Sequence, residues 1–325
     1  MNYKIYQNGK EVSGAIPFDL MRTEAAGIFE SMRAYGGRIL HEEEHLTRLL
    51  ESAKTVGYQP VPKIQKLRNE LDLAMRAFQE DYSFSATRRR TEASFGAKVF
   101  REAVPLKNLS VRLTLWEGRT LVILGSREHP EELYEKGVAL KTASFPRGGP
   151  NTFPWQAKAS AYQQAILAST EPHPDKIYEW VFLGEGGLLT ESRIGNFFLV
   201  KYPSKTRSSN ILRPSLRRGG RPELLTTPEH GILNGVTRKF VIKCALKLKM
   251  QVREVPLTRH EFFNADEAFL CNTSWEILPV RELDGRMIGT GKPGPVTLKL
   301  HRFFKRRIQL DVTPYHSPRT HQRLR

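Results

Sequence analysis

The stretch Gly186-Gly-Leu-Leu-Thr-Glu-Ser-Arg-Ile-Gly-Asn-Phe-Phe-Leu-Val200 places one glutamate, Glu191, between a tight turn and an apolar strand predicted over 194–200. A carboxylate taken out of water beside such a strand is costly unless a cation accompanies it. Glu191 is therefore either the ordinary carboxylate of a strand end or one half of a buried ionic site with a cationic partner.

Three further stretches in the same half of the chain carry candidate chemistry. In Asn151-Thr-Phe-Pro-Trp-Gln-Ala-Lys-Ala-Ser-Ala-Tyr162, Lys158 stands among small and aromatic residues at the predicted start of a helix, and a desolvated lysine with a lowered pKa is what Schiff-base chemistry requires. Gly235-Val-Thr237 leads into a helix N-terminus, which favours a phosphate. Asn272-Thr-Ser274 offers a second set of donors. Taken singly, each also fits a surface lysine, a helix cap or a turn.

The first 145 residues read as a mixture of strands and helices. Turns at Asn8-Gly9 and Gly36-Gly37 predict two strand pairs, over 3–12 and 28–41. A helix is predicted over 42–56, with Gly57 as its end, and a second one carries apolar residues at helical spacing from Ile64 to Phe78. Strands are predicted over 111–116, 121–125 and 137–143.

The best candidate linker is 146–154, which is rich in proline and glycine. We predict an α+β protein of two domains, a small α/β N-terminal domain over 1–145 and a larger domain with a pseudo-barrel core over 155–310. Helices are predicted over 158–168, from Thr237 and over 296–304. The segments 82–107 and 203–222 interrupt regular spacing and read as insertion loops, and 311–325 reads as a disordered basic tail.

The net charge of +17 is concentrated locally. The segments 82–107, 201–222 and 299–325 carry net charges of +4, +7 and +7, so the rest of the chain is nearly neutral. Such segments could bind polyanions without sequence preference, and this is the non-enzymatic alternative, although we expect nucleic acid not to be the main partner.

Several classes of protein are disfavoured by the sequence. Apolar stretches fall short of a membrane helix, and the N-terminus lacks the apolar region of a signal peptide. Cys244 and Cys271 are too few for a disulfide framework, so we expect a cytoplasmic protein. His41 and His45, spaced i, i+4, lack a prospective third ligand, and we expect no metal site.

Seven short motifs, in order along the chain, resemble the fold-type IV (class IV) pyridoxal-phosphate enzymes, and among them the branched-chain amino acid aminotransferases most. The similarity covers residues 1–310 with gaps at the two basic insertions. Its motifs are Phe29-Glu-Ser-Met-Arg33, Glu44-His-Leu-Thr-Arg48, Asn151-Thr-x-Pro-x-x-Ala-Lys158, Thr190-Glu-Ser-x-x-Gly-Asn196, Gly235-Val-Thr-Arg238, Ala265-Asp-Glu-Ala-Phe269 and Thr273-x-x-Glu-Ile-x-Pro-Val280.

The resemblance implies pyridoxal 5'-phosphate as cofactor and a role for each matched residue. Lys158 would form the Schiff base and carry a proton, while Glu191 would keep the pyridine nitrogen protonated. Tyr162 would bond the ring hydroxyl, although it stands one residue closer to the lysine than is usual in the family. The remaining implied cofactor-binding residues are Arg48, Asn196, Val236, Thr237 and Thr273.

The resemblance also implies substrates, namely branched-chain L-amino acids and 2-oxoglutarate, and a homodimer. Phe29, Tyr35 and Trp155 would line an apolar pocket beside Ser274, with Arg33 or Arg147 as the cation at its rim. Glu24 stands where a tyrosine is usual and Ser31 where a glycine is usual, which leaves aminodeoxychorismate lyase open. The D-amino acid transaminases carry Arg-x-His near Arg112, where this chain has Arg-Leu-Thr, and this disfavours them.

Overall fold

Two β-sheets form the frame of the molecule. The computed structural model describes residues 3–7, 10–12, 27–92, 108–116, 118–148, 154–159, 167–168, 170–171, 176–203 and 221–311. The first sheet contains β1 (Tyr3–Gln7), β2 (Lys10–Glu11), β3 (Ile28–Tyr35), β4 (Arg38–Ile39), β5 (Asn108–Trp116) and β6 (Arg119–Ser126). The second contains β7 (Val138–Thr142), β8 (Ile177–Leu183), β9 (Leu189–Ser192), β10 (Asn196–Lys201), β11 (Glu223–Thr226), β12 (Gln251–Glu254), β13 (Glu267–Asn272), β14 (Glu276–Leu283) and β15 (Arg286–Met287).

Six α-helices accompany these strands in the described residues. They are α1 (Glu42–Thr55), α2 (Ile64–Glu92), α3 (Glu132–Lys136), α4 (Val236–Lys247), α5 (Arg259–Phe263) and α6 (Pro295–Asp311).

The first sheet is antiparallel throughout, in the order β2-β1-β6-β5-β3-β4. Alternation along β3 explains how it packs: Ile28, Met32 and Ala34 point into a core that includes Leu46 and Leu49 of α1. The intervening residues of β3 lie on the opposite face. The strand thus has one face toward the helices and one face that can line a site.

The second sheet is mixed and curls on itself. Its strand order is β12-β11-β10-β13-β14-β7-β8-β9, with β15 paired to β14. Strand β9 is at one end of this order, yet only residues 193–195 connect it to β10, which lies near the other end. Because three residues span only about 10 Å, the sheet has to bend until these strands meet, and it forms a half-barrel.

Both faces of the half-barrel are covered by apolar clusters. Helices α4 and α6 pack on one face through Phe240, Val241, Leu300 and Phe304. The second cluster contains Phe262 of α5 together with inward residues of most strands. This packing fixes the N-terminus of α4, which the site uses.

The structure corrects the first predicted insertion loop. Helix α2 continues to Glu92, so 82–92 is helical, and the rest of the predicted loop, 93–107, lies largely outside the described residues. We interpreted the serines, threonines and arginines of 82–92 as loop, but extending an existing helix needs no new nucleation and tolerates such residues. Within the second predicted loop, only 203 and 221–222 are described, and they are neither helix nor strand.

Strand β7 lies before the predicted linker but pairs in parallel with β14 and β8 of the second sheet. Residues 138–142 therefore belong to the second sheet, although the sequence predicts a small domain that extends to residue 145. The chain passes from the first sheet to the second between β6 and β7, before it reaches 146–154. The final helix reaches Asp311, and the predicted tail beyond it lies outside the described residues.

The described residues contain neither a helix that could span a membrane nor a cluster of metal-ligating side chains. No helix among them combines the length and apolar character needed to cross a bilayer. In the same residues, no group of three or more histidine, cysteine, aspartate or glutamate side chains could hold a metal ion.

Candidate active site

The backbone of Lys158 is held between the two structural layers of the N-terminal half. Its N–H donates to Ser52 Oγ of α1 at 2.9 Å, and its carbonyl accepts from the N–H of Phe29 at 3.1 Å. Ala159 then bridges to Ile28 of β3. Lys158 and Ala159 thus lie beside β3, which corrects the prediction that a helix begins at Lys158; the rest of that predicted helix is largely outside the described residues.

The Lys158 side chain lies in a desolvated surrounding with charges of both signs. Its Nζ is 4.5 Å from the centre of the Phe29 ring. Burial and then the charge of Arg48 lower the pKa of Lys158 to about 8, with a smaller contribution from Arg112, while Glu30 and Glu191 act in the opposite direction. With such a pKa, about one tenth of the amine is neutral at pH 7, far more than in an ordinary lysine, and the neutral amine is the form that a nucleophile or proton carrier requires.

Glu191 lies in β9 and is buried, with the cationic partner that its position requires. The Arg147 guanidinium forms an ion pair with Glu191 Oε1, Asn196 Nδ2 donates to Oε2 at 3.0 Å, and the N–H of Leu233 donates at 3.2 Å to both oxygens. Burial raises the pKa of Glu191, and Arg147 opposes that shift. Each Glu191 oxygen thus accepts from one side-chain donor and shares the Leu233 N–H, so the carboxylate is fixed in place within this half of the fold.

A second buried carboxylate, Glu30, orients Arg48. Glu30 Oε1 accepts from Arg48 Nε at 2.6 Å, and Oε2 accepts from Arg48 Nη2 at 2.7 Å and lies 2.7 Å from His45 Nδ1. Burial alone would raise the pKa of Glu30, but Arg48 and His45 outweigh it and lower this pKa to about 2. The remaining Arg48 nitrogen, Nη1, donates to the carbonyl of Asn234 at 2.9 Å, beside the start of α4.

The N-terminus of α4 gathers several hydrogen-bond donors. Its N-cap is Gly235, which has no side chain to cap the first turn, and a Cβ at that position would clash with Asn196 Oδ1. The Thr237 and Thr273 hydroxyls are 3.4 Å apart at the same place. Backbone N–H groups, two hydroxyls and the nearby Arg48 are the donor set that a phosphate prefers.

Arg33, Tyr35 and Ser274 form a polar cluster around Glu276. Arg33 Nη1 donates to the Ser274 carbonyl at 2.8 Å and lies 3.4 Å from Glu276 Oε1, which also accepts from the Tyr35 hydroxyl at 2.8 Å. His301 contacts the other Glu276 oxygen at 3.0 Å. Both cations suggested for the pocket rim are therefore ion-paired, Arg33 with Glu276 and Arg147 with Glu191.

Arg112 lies on the same aromatic ring as Lys158. Its guanidinium lies 3.9 Å from the centre of the Phe29 ring, and Lys158 Nζ lies 4.5 Å from the same ring. Trp155 is stacked on the Arg147 guanidinium at 4.5 Å. Phe29 and Trp155 therefore lie next to Lys158 and to the Glu191 pair, respectively, as apolar surfaces.

Most of the predicted site residues come together, and some partners were missed. Charge interactions link Lys158 with Arg48 and Glu191, and Asn196 donates to Glu191. The Thr237 and Thr273 hydroxyls lie near each other, and Val236 is the first residue of α4. Tyr162 lies outside the described residues. Sequence reasoning did not assign Glu30, His45 and Arg112 to the site. The signal for Glu30 was its position at the even, core-facing side of β3, where a carboxylate needs a partner.

The chain is similar in sequence to known proteins over most of its length. A family model described as amino-transferase class IV matches residues 27–283. The chain is 28% identical over 284 residues to the branched-chain-amino-acid aminotransferase of Pseudomonas aeruginosa, covering 86% of this chain and 82% of that protein. It is 27% identical over 297 residues to branched-chain-amino-acid aminotransferase-like protein 2 of Arabidopsis thaliana, covering 91% of this chain and 48% of the relative. The chain thus spans about half the length of the Arabidopsis relatives that it matches.

Solved structures show the same fold. The branched-chain amino acid aminotransferase of T.th. with pyridoxamine 5'-phosphate superimposes with a TM-score of 0.71 at 24% identity, covering 95% of both chains. A branched-chain aminotransferase from Thermoproteus uzoniensis with norvaline gives a TM-score of 0.68 at 26% identity, again covering 95% of both chains.

Proposed function

Because this chain belongs to the class IV aminotransferase family, we propose that it is a pyridoxal 5'-phosphate enzyme that transfers the amino group of branched-chain L-amino acids to 2-oxoglutarate. The observation that carries the proposal is Lys158, whose pKa is lowered to about 8 beside Phe29 and near Glu191. When bound, the cofactor supplies an electron sink that makes the substrate α-carbon acidic.

The residues present fit this cofactor at both ends. The N-terminus of α4, the Thr237 and Thr273 hydroxyls and Arg48 would hold its phosphate, and the helix dipole would contribute about 0.5 of a positive charge. At the opposite end, the Glu191 carboxylate would accept from the pyridine N–H and hold its proton. Asn196 would orient Glu191, and Tyr162 would bond the ring hydroxyl.

Lys158 has two roles in this proposal. It would attach covalently to the cofactor at rest, and its neutral amine would then move the proton between the substrate α-carbon and the adjoining cofactor carbon. Arg48 and Arg112 disfavour the charged ammonium, which keeps the amine ready to accept a proton.

The substrate pocket has to accept an aliphatic side chain and a carboxylate in turn. Phe29 and Trp155 would supply the apolar walls, and Arg112 on Phe29 would receive the side-chain carboxylate of glutamate. The Glu276 cluster would fix Arg33, Tyr35 and Ser274 at the edge of the pocket. The cofactor would lie in the cleft between the two sheets, since Lys158 contacts β3 and Glu191 lies in β9.

Stopped-flow absorbance of the two half-reactions tests the function. Leucine should convert the visible band of the purified protein to the amine form of the cofactor, and 2-oxoglutarate should restore it. Arg112→Gln should weaken the second half-reaction by about 10-fold or more while leaving the leucine reaction nearly intact, because only the oxo acid brings a second carboxylate. D-leucine serves as the control for stereochemistry.

The rival reaction is elimination of pyruvate from aminodeoxychorismate. If L-leucine, L-isoleucine and L-valine leave the spectrum unchanged and aminodeoxychorismate releases pyruvate, the chain is a lyase. If D-alanine reacts and L-leucine does not, a D-amino acid transaminase replaces the proposed activity.

We also propose a homodimer, since class IV sites are completed by a loop of a second subunit. Sedimentation velocity should give about twice the 37.2 kDa chain mass. A monomer that retains full activity would contradict this.

A further inference from the structure

Helices α4 and α6 lie next to each other on the outside of the half-barrel. The Phe240 and Phe304 rings meet edge to face, with centroids 4.9 Å apart, and both helices share one apolar cluster. Phe240, Lys243 and Lys247 follow i, i+3, i+7 spacing and so share a flank of α4. The Lys243–Lys247 flank is therefore the one that adjoins α6, and the outer sides of both helices form one surface.

This surface, which we call the basic face, carries many cations, and the described side chains of 236–247 and 295–310 add no carboxylate to it. Neither α4 nor residues 295–310 of α6 contain an aspartate or glutamate. The carboxylates on the neighbouring strands are in pairs, Glu254 with Arg238 at 2.8 Å and Glu223 with Arg253 at 3.2 Å. The exposed cations of the basic face are Lys239, Lys243, Lys247, Lys249, Lys299, Arg302, Lys305 and Arg306.

Two of the basic segments of the sequence are joined directly to this part of the fold. Residues 204–220 connect β10 to β11, and Tyr202 at the start of this connection packs in the cluster beneath α4 and α6. This segment contains five lysines and arginines and no acid. Residues 312–325 follow directly from α6 and contain three arginines and no acid.

We propose that the basic face binds the sugar-phosphate backbone of a nucleic acid. The charge is arranged in rows along two adjacent helices, which suits a row of phosphates better than a single anion. The exposed residues of the face include no aromatic ring on which a base could stack, so binding is independent of sequence. The apolar faces of α4 and α6 are buried, and Leu246 and Leu310 are their only large exposed apolar residues among those described, so there is no apolar face to insert into a lipid bilayer.

Fluorescence anisotropy with a mixed-sequence DNA duplex of about 30 base pairs tests this proposal on the purified full chain, in about 50 to 300 mM NaCl. The test variant is K243Q/K247Q/K299Q/R302Q/R306Q. The matched control K10Q/K54Q/K63Q/K66Q/K292Q removes five exposed lysines elsewhere and has the same net charge. Neither variant changes a residue of the candidate active site, and the leucine half-reaction reports that both remain folded.

The wild-type chain and the control should bind with similar affinity, and the logarithm of that affinity should fall steeply with the logarithm of the salt concentration. The test variant should bind about 10-fold or more weakly at about 100 mM NaCl, with a slope shallower by about 3 to 4, because each lost phosphate contact removes about 0.9. An equal loss in both variants would show that net charge alone is responsible and would overturn the proposal. Binding to phosphatidylglycerol-containing vesicles without binding to the duplex would overturn it in favour of a membrane.

Discussion

At the residue scale, the charged side chains of the candidate site fix one another's positions and shift one another's pKa values. Burial and Arg48 lower the pKa of Lys158 so that about one tenth of the amine is neutral at pH 7, and Arg48 is in turn held by Glu30. Glu191 remains next to Arg147 although burial disfavours its charge. The motifs could predict Lys158, Glu191 and Thr237, because each stands at a recognisable turn or strand end. Their partners Glu30, His45 and Arg112 come from other strands and helices, and a single sequence does not show which of these meet.

The pKa of Lys158 predicts how cofactor uptake depends on pH. After the cofactor has been removed, the rate of covalent uptake of pyridoxal 5'-phosphate should rise with pH and level off above about 8, because only the neutral amine attacks the cofactor aldehyde. Stopped-flow absorbance measures that rate. A rate that keeps rising to about pH 10 would show that Lys158 titrates as an ordinary lysine.

Glu30→Gln should destabilise the fold, because it leaves the buried Arg48 without its bidentate partner. The free energy of unfolding from urea titration should fall by about 3 to 5 kcal/mol at pH 7. The pKa of Glu30 is depressed, so its stabilising effect is complete above about 4.5 and disappears as the pH falls toward about 2. The difference between wild type and variant should therefore shrink over this acidic range, and a constant difference would contradict the assignment. Glu51→Gln, at an exposed position of α1, is the control.

At the scale of the elements, helix and strand types were predictable and their ends were not. Glycine turns and helical spacing correctly predicted β1–β6, α1 and the start of α2, because their signals are local. Helix α2 runs further than its apolar residues indicate, and α6 extends beyond Phe304 to Asp311. Strand β9, which carries Glu191, was missed because its four residues, Leu-Thr-Glu-Ser, are too few and too polar to show a strand pattern without the partner strand β8.

The start of α6 illustrates an element end fixed by a remote residue. The Glu267 carboxylate of β13 accepts from the N–H groups of Val296 at 3.0 Å and Thr297 at 2.8 Å. A Cβ at Gly294 would clash with Glu267 Cδ. The Glu267 carboxylate therefore caps α6, and its position leaves no room for a Cβ at residue 294, just before the helix begins.

Gly294→Ala should therefore lower the free energy of unfolding by about 1 to 3 kcal/mol, as expected for an overpacked site. Chemical denaturation followed by circular dichroism measures the loss. Lys292→Ala, at an exposed position of the same loop, should change stability by less than about 0.5 kcal/mol. Equal stability of the two variants would show that Glu267 can move aside.

At the scale of the whole molecule, the class IV aminotransferase fold brings residues from both sheets to one cleft. The order of the motifs sufficed to predict that fold, because the family keeps them in sequence. The sheet to which β7 belongs could not be predicted, since parallel partners are remote in sequence. We continue to propose a small N-terminal and a larger C-terminal domain, with β7 moved to the larger one, and the basic face lies on the outside of that larger domain.

The central claim is that Lys158 carries the cofactor, and one measurement tests it most directly. The purified protein, incubated with pyridoxal 5'-phosphate, is reduced with borohydride, digested and mapped by mass spectrometry. The account predicts loss of the visible band and a phosphopyridoxyl group on Lys158, absent from Lys158→Ala and retained in Lys141→Ala. A reducible band that persists in Lys158→Ala, or a modification mapped to a different lysine, would contradict it.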